Sequence, residues 1–143
     1  MIFADSDVYV IDQLYKRDKR YETNHKFLEE NTTSTSIFNV LEICGICSFQ
    51  MNESRVTELF KDFHRASNIN VLLPNFLSFS EIIDESFKRI KKKMNFQDSL
   101  VLWVAEQNNV EYFITWNKKD FEGRTELKVL TPEEYFDLQN KSS

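Results

Sequence analysis

The sequence predicts an α/β fold of three layers, α/β/α, built on a mostly parallel central sheet of 4–5 strands, with residues 1–143 forming one domain. Three observations carry this. Short apolar runs of strand length alternate with longer stretches of helical period. Only two Gly and two Pro occur in 143 residues, which leaves little chain for irregular structure. A composition that is 41% apolar, with 13 Phe, is enough to fill a core of that size.

The elements follow in order. Residues 1–5 are an apolar run ending in Asp, short enough for a buried strand. Residues 7–17 and about 19–30 read as helices, the second opened by Lys19-Arg20 and closed before Asn31. The polar stretch from Asn31 predicts a loop or a short edge strand ending near Ser36-Ile37. Residues 38–50 and 53–66 are helical, with Asn52 placed to cap the second and Arg55 at its third position. Ile69–Leu73 is a strand stopped by Pro74. A long helix is expected from about 76 to 93, where Phe79, Ile83, Phe87, Ile90 and Met94 step by 4, 4, 3 and 4 in one apolar stripe. Asn95 then caps a helix over 96–108. Tyr112–Thr115 and Leu127–Leu130 are strands, and Thr131-Pro132-Glu133-Glu134 opens a last helix with a cap, a proline and an acid at the favoured positions.

The net charge of −5 excludes binding to nucleic acid through bulk positive charge. Any such role must rest on locally placed cations, and Lys88-Arg89-Ile90-Lys91-Lys92-Lys93 is one local run. By itself it reads as a solvated helix end whose cations suit the C-terminal dipole. Cys44 and Cys47 form a C-x-x-C pair, but inside a helical pattern, where structural thiols are expected, not redox chemistry. With His25 and His64 far apart, the four-ligand zinc site is excluded. The opening residues lack the features of a secretory leader, and the longest apolar runs are far short of a membrane span. The expectation is a cytoplasmic protein without membrane association.

The acids carry the functional signal. Two predicted strand ends are polar in the same way, Asp5-Ser6-Asp7 and Thr115-Trp116-Asn117, and open parallel sheets bind ligands beyond such ends. Phe38, Glu42, Gly45 and Phe49 step by 4, 3 and 4, which puts Glu42 on the apolar stripe of its helix. Asp98 shares a face with Val101, Leu102 and Ala105. A carboxylate turned inward is costly without a cation, and those stripes hold no Lys or Arg. One divalent ion would answer Asp5, Glu42 and Asp98 together. Each acid also has a purely structural reading: Asp5 can end a strand, Asp7 can cap a helix, and Asp98 can sit below the Asn95 cap for the dipole. Mg²⁺ or Mn²⁺ favours oxygen ligands and is commonly held by a few carboxylates plus substrate phosphate. The chemistry that suits such a cluster is metal-assisted hydrolysis of a phosphodiester.

These residues resemble the motifs of the PIN-domain ribonucleases, in the size and layout of VapC-type toxins of toxin–antitoxin pairs and their stand-alone relatives. The family opens with an apolar strand running into Asp-[Ser/Thr]-[Asn/Asp]-Val, here Ile2-Phe3-Ala4-Asp5-Ser6-Asp7-Val8. Its second acid follows a Ser by six residues, as Glu42 follows Ser36. Its third opens a helix that Asp98-Ser99-Leu100-Val101-Leu102-Trp103-Val104-Ala105 resembles, and its last motif is matched by Ile114-Thr115-Trp116-Asn117-Lys118-Lys119-Asp120-Phe121. Residues 129–135 are also similar, so the match spans essentially the whole chain.

The resemblance implies that Asp5, Glu42 and Asp98 are catalytic and bind Mg²⁺ or Mn²⁺, with Ser6 and Thr115 orienting them or bound water, and Asp7 and Ser36 in support. It places Asn117 and Asp120 as further metal contacts. Many relatives carry Asp where this chain has Asn117, which puts a second metal in doubt; an Asn carbonyl accepts but adds no charge. It revalues Lys88 and Lys92, with Lys118 and Lys119 opposite, as contacts to RNA phosphate. It implies RNA as substrate, a small antitoxin protein as partner, and a homodimer.

Two rivals stand beside this reading. Asp5-x-Asp7 after a strand also resembles haloacid-dehalogenase-type phosphatases, where the first Asp is a covalent nucleophile, but those need a Lys, a later Ser or Thr and an acidic pair. A catalytically weakened PIN-like module that binds RNA or protein is the other, suggested by Asn117.

Overall fold

In the computed structural model, which describes residues 1–76 and 78–143, five strands form one sheet. Its elements are β1 (Ile2–Ala4), α1 (Ser6–Leu14), α2 (Tyr21–Glu30), β2 (Thr33–Ser36), α3 (Ile37–Cys47), α4 (Glu53–Arg65), β3 (Ile69–Leu72), α5 (Phe79–Ile90), α6 (Phe96–Gln107), β4 (Tyr112–Ile114), β5 (Lys128–Leu130) and α7 (Pro132–Ser142). A single 3₁₀ turn covers Lys118–Asp120. The predicted strands and helices are all present, within a few residues at their ends.

The strand order is β3-β2-β1-β4-β5 and every pairing is parallel. Phe3 lies opposite Phe113 in register. The chain winds outward from β1 to β3 on one side and from β4 to β5 on the other. Connectivity therefore reverses between β1 and β4, the position at which such sheets open a crevice beyond their carboxyl ends.

Alternation along the strands divides the core in two. Phe3 and Phe113 point to the face covered by α6, where their rings stack 5.1 Å apart among Val101, Leu102, Ala105 and Phe121. Ala4 and Ile114 point to the other face, against Val8, Phe27, Val40 and Ile43. Cys44 and Cys47 are buried free thiols in that second core, and burial raises both thiol pKa values, so their role is packing.

Three expectations need correction. The polar segment Thr33–Ser36 is an interior strand between β3 and β1, where a loop or sheet edge was expected. All four residues are buried, and hydroxyls find partners: Tyr9 Oη lies 2.9 Å from Thr33 Oγ1, and Thr35 Oγ1 donates to the Ala4 carbonyl at 2.9 Å. On α3 the buried face is Asn39, Val40, Ile43, Cys44 and Cys47. The helix ends at Cys47, so Phe49 falls beyond it and is 92% exposed. Glu42 borders the buried face and is half-buried.

The third correction concerns α5. Ser78 caps it, so its described start is Phe79, and residue 77 of the expected helix lies outside the described residues. The helix rests on the body through Ser86 and Arg89, whose guanidinium pairs with Glu85 and Glu106. Of the apolar stripe, only Met94 is buried. Phe79, Ile83, Phe87 and Ile90 face solvent. Helical spacing shows that residues share a face; it does not show which face meets the body.

Candidate active site

The loops leaving β1 and β4 meet at the reversal of the sheet, and α3 and α6 bring their first turns over them. Asp5 ends β1 and serves as the N-cap of α1, so its charge faces that helix's positive end. Its Oδ1 accepts from Ser6 N at 2.8 Å and from Asn39 Nδ2 at 3.0 Å. Its Oδ2 lies 3.0 Å from Thr115 Oγ1. That hydroxyl is also 3.1 Å from Asp7 Oδ2, and one proton serves both carboxylates.

Asp7 does not cap the helix. Its Oδ2 accepts from Trp116 N at 2.8 Å and Asn117 N at 3.2 Å, which pins the loop after β4 to α1. Its Oδ1 is buried and has no hydrogen-bond partner. Trp116 is held from behind: its indole N–H donates to Asn24 Oδ1 at 2.8 Å, and Asn24, fully buried, donates to the Val8 carbonyl at 2.7 Å.

Glu42 reaches in from α3. Ser6 Oγ donates to its Oε2 at 2.7 Å, and Gln97 Nε2 approaches the same oxygen at 3.4 Å. Asp98 enters from the first turn of α6, where Asn95 both caps its backbone N–H at 2.8 Å and donates to Oδ2 at 2.8 Å. The predicted capping role is therefore real and coexists with a place in the cleft. Asp120 and Asn117 complete the rim. Asp5, Ser6, Asp7, Glu42, Asp98, Asn117 and Asp120 line one cavity of about 200 Å³, floored by Val10, Ile46 and Phe121. That is room for an ion with its waters, below the usual size of a site enclosing a whole small molecule. A separate cleft of about 270 Å³, lined by Tyr9, His25, Leu59 and Phe63 among others, contains none of the predicted residues.

The electrostatics match the crowding of acids. Asp5 is held well above its ordinary value, first by burial, then by the neighbouring Asp7 charge. Burial likewise lifts Asp7 to about 6. Asp98 is raised to about 6 by burial, then by Asp120 and Glu42. Like charges gathered in a half-buried cleft resist ionisation unless a cation joins them.

The donor set suits a hard divalent cation: every donor is oxygen, several are carboxylates, and one buried carboxylate oxygen is unpartnered. As they stand, the acids are tied to hydrogen-bond donors. Among the described residues no three Asp, Glu, His or Cys side chains form a group that could hold a metal ion in this arrangement.

Asn39 was not singled out from the sequence. Fully buried, it forms a capping box with Ser36 and turns its amide onto Asp5 Oδ1 and Ser6 Oγ, the latter at 2.9 Å. Ser36 thus acts on the site through Asn39. The Ser36-x-x-Asn39 spacing at a helix start was the available signal. None of Lys88, Lys92, Lys118 and Lys119 lines the cleft. Lys88 pairs with Glu85, Lys118 pairs with Glu122 and Glu134, and the Lys92 carbonyl accepts from Arg124. No helix among the described residues is long and apolar enough to cross a membrane.

No protein-family model matches the sequence, and no curated protein matches it. Solved structures do match. A toxin–antitoxin complex from Klebsiella pneumoniae aligns with a TM-score of 0.64 at 21% identity, covering 92% of this chain and 98% of that one. VapBC-1 from nontypeable Haemophilus influenzae gives a TM-score of 0.64 at 19% identity over 93% and 99%. VapC20 from Mycobacterium tuberculosis, a toxin that cleaves the sarcin–ricin loop, gives 0.62 at 12% identity over 79% and 87%. Likeness at these identities is likeness of fold, and it spans most of the chain: the fold is that of the VapC-type PIN-domain toxins.

Proposed function

We propose that the chain is an Mg²⁺- or Mn²⁺-dependent endoribonuclease acting at the acidic cleft, as the toxin of a toxin–antitoxin pair. The observation that carries the reading is the convergence of Asp5, Glu42 and Asp98, from three separate elements, on one cavity at the reversal of the sheet. The shared fold with toxin–antitoxin proteins supports it.

Asp5, Glu42 and Asp98 are the residues that would hold the cation, with Asn117 and Asp120 at the rim. When bound, the ion supplies an activated water and neutralises charge on the phosphate. The protein's own part is positioning. Asn39 and Thr115 fix the two oxygens of Asp5, and Ser6 ties Glu42 to the start of α1. Asp7 Oδ2 gathers the backbone of Trp116 and Asn117 and so sets the far wall. Asn117 presents a neutral acceptor there, which favours one firmly held ion over two. The phosphatase reading lacks its lysine, since no lysine is among the residues lining the cleft.

The test compares wild type with Asp5→Asn and Asp98→Asn on structured RNA, with Mg²⁺, with Mn²⁺ and with chelator. Cleavage by wild type alone, abolished by chelator, is the expected result. Equal rates, or no cleavage by any form, would sink the nuclease reading; RNA binding without cleavage would establish the weakened-module rival. Growth arrest on expression, relieved by Asp98→Asn and by the product of a neighbouring small reading frame, tests the toxin assignment.

A further inference from the structure

We propose that the loop joining α1 to α2, residues 15–20, holds the backbone of single-stranded RNA beside the acidic cleft, with Arg20 as the positioning residue at its inner end. The substrate class rests on the nuclease reading, and the surface rests on observations of its own. The chain carries a net charge of −5, yet this loop reads Tyr15-Lys16-Arg17-Asp18-Lys19-Arg20, with four cations and one acid. A protein of that overall charge can hold a polyanion only where its cations are gathered. Lys16, Arg17 and Lys19 are exposed, and none forms an ion pair among the described residues. Lys88 and Lys118, by contrast, are paired with neighbouring carboxylates.

Arg20 ties the loop to the cleft. Asp18 grips its guanidinium from one side: Nε donates to Asp18 Oδ1 at 3.0 Å and Nη2 donates to Oδ2 at 2.9 Å. The planar group lies over the Trp116 ring, with Cζ 5.8 Å from the ring centroid. Trp116 is itself fixed twice, by Asn24 on its indole N–H and by Asp7 on its backbone N–H. The same Asp7 oxygen accepts from Asn117 N, on the rim of the cleft. Arg20 is therefore one side chain removed from the cleft wall. Its pKa is raised first by the hydrogen bonds to Asp18, then by the charges of Asp18 and Asp7. Its Nη1 makes no hydrogen bond among the described residues, and a guanidinium held flat with donors to spare suits a phosphate. Because α1 has nine residues, the loop begins about 13 Å from Asp5, near enough to hold phosphates that flank one in the cleft. Cations strung along one loop fit a linear polyanion, whose charges recur along its length.

Two measurements on the full chain use a labelled single-stranded RNA of mixed sequence. Binding is followed in chelator over a range of salt, and cleavage with Mg²⁺ is resolved into kcat and KM. Lys16→Gln, Arg17→Gln and Lys19→Gln together should weaken binding about tenfold at low salt. They should also flatten the salt slope by about 2, at about 0.7 per lost phosphate contact. KM should rise about tenfold, with kcat kept within about twofold. A charge-matched control on α4 and α7, Lys61→Gln, Arg65→Gln and Lys141→Gln, should bind within about twofold of wild type. Arg20→Gln should lose about fivefold in affinity and about 0.7 of slope. Arg20→Lys should restore the slope but only part of the affinity, since an ammonium keeps the charge and loses the fork. An Arg20 that only braces the loop would leave the slope unmoved. Loop variants that bind and cleave as wild type does, or a control that loses as much as they do, would overturn the proposal. So would a wild type that binds no RNA, including one that uses this loop to hold an acidic protein. RNA held through the loop but cut by no form would remove the nuclease reading alone; cleavage indifferent to the loop would remove this proposal alone.

Discussion

Replacing Asp7 with Asn should stabilise the metal-free protein while weakening its hold on a divalent cation. Burial keeps the Asp7 carboxyl at about 6, against an ordinary 3.8. A tenfold change in proton affinity corresponds to about 1.4 kcal/mol, so ionised Asp7 costs the fold about 3 kcal/mol near pH 7.5, or about 2 after allowance for its contact with solvent. The sign follows from proton binding. The folded state holds this proton more tightly than the unfolded chain, so the penalty is complete above about pH 6 and is relieved as pH falls from about 6 towards 4. Asn offers Trp116 N and Asn117 N a neutral acceptor and has no charge to bury. At about 2.1 cal/mol/K per residue, 2 kcal/mol raises Tm by about 7 °C for 143 residues. The assay is thermal melting of both forms in chelator near pH 7.5, 5 and 4. The advantage of Asn should be largest at the highest pH, fall by about half near pH 5 and nearly vanish near pH 4. Mg²⁺ should then raise the Tm of wild type more than that of the variant. An Asn form less stable than wild type in chelator near pH 7.5, or an advantage independent of pH, would refute the assignment of Asp7 as an ionised group buried at a cost.

Asn39→Ala removes the amide that orients Asp5 and leaves a half-made capping box; RNA cleavage should fall about 10–100-fold and stability by about 1–2 kcal/mol, measured by initial rates and urea denaturation. Asn117→Asp adds a charge to the cleft, so the metal-free protein should melt lower while half-maximal stabilisation needs several-fold less Mg²⁺, read from Tm against Mg²⁺ concentration. Lys93, in the turn between α5 and α6, has a φ of 68°, where a side chain is disfavoured. Lys93→Gly should gain about 0.5 kcal/mol, the relieved strain exceeding the added freedom of the unfolded chain, with unchanged catalysis.

Much of the architecture was legible because its signals are local. Caps at Asn52, Asn95 and Thr131 mark helix starts through a side-chain oxygen three residues from its donor, and all three operate as spaced. Asp5 was visible as an acid at a strand end. Convergence across the fold was harder to see. Thr33–Ser36 looked like loop because its residues are polar, yet small hydroxyls can be buried when each finds an acceptor. Glu42 was picked from a stripe that the helix does not have; it enters the cleft from the border of the buried face. Asn39 stayed hidden because a capping residue and a partner of Asp5 leave the same trace in a sequence. The stripe on α5 shows the limit of periodicity: a face turned to solvent has the same period as a face that meets the core.

The reversal between β1 and β4 also bears on when the cleft comes into being. Asp5 and Thr115 are hydrogen-bonded across 110 positions of chain, and Asp7 and Trp116 across 109. β1 and its neighbour β4 pair across 110 positions of chain, from Ile2 to Tyr112, and parallel strands so far apart pair slowly. Until then Asp5 lacks Thr115, Asp7 has no loop to gather, and the far wall carrying Asn117 and Asp120 does not exist. A chain ending before β4 would lack Thr115, Asn117 and Asp120 and so could not complete the cleft. The cleft is complete only when the sheet closes on the other side of β1.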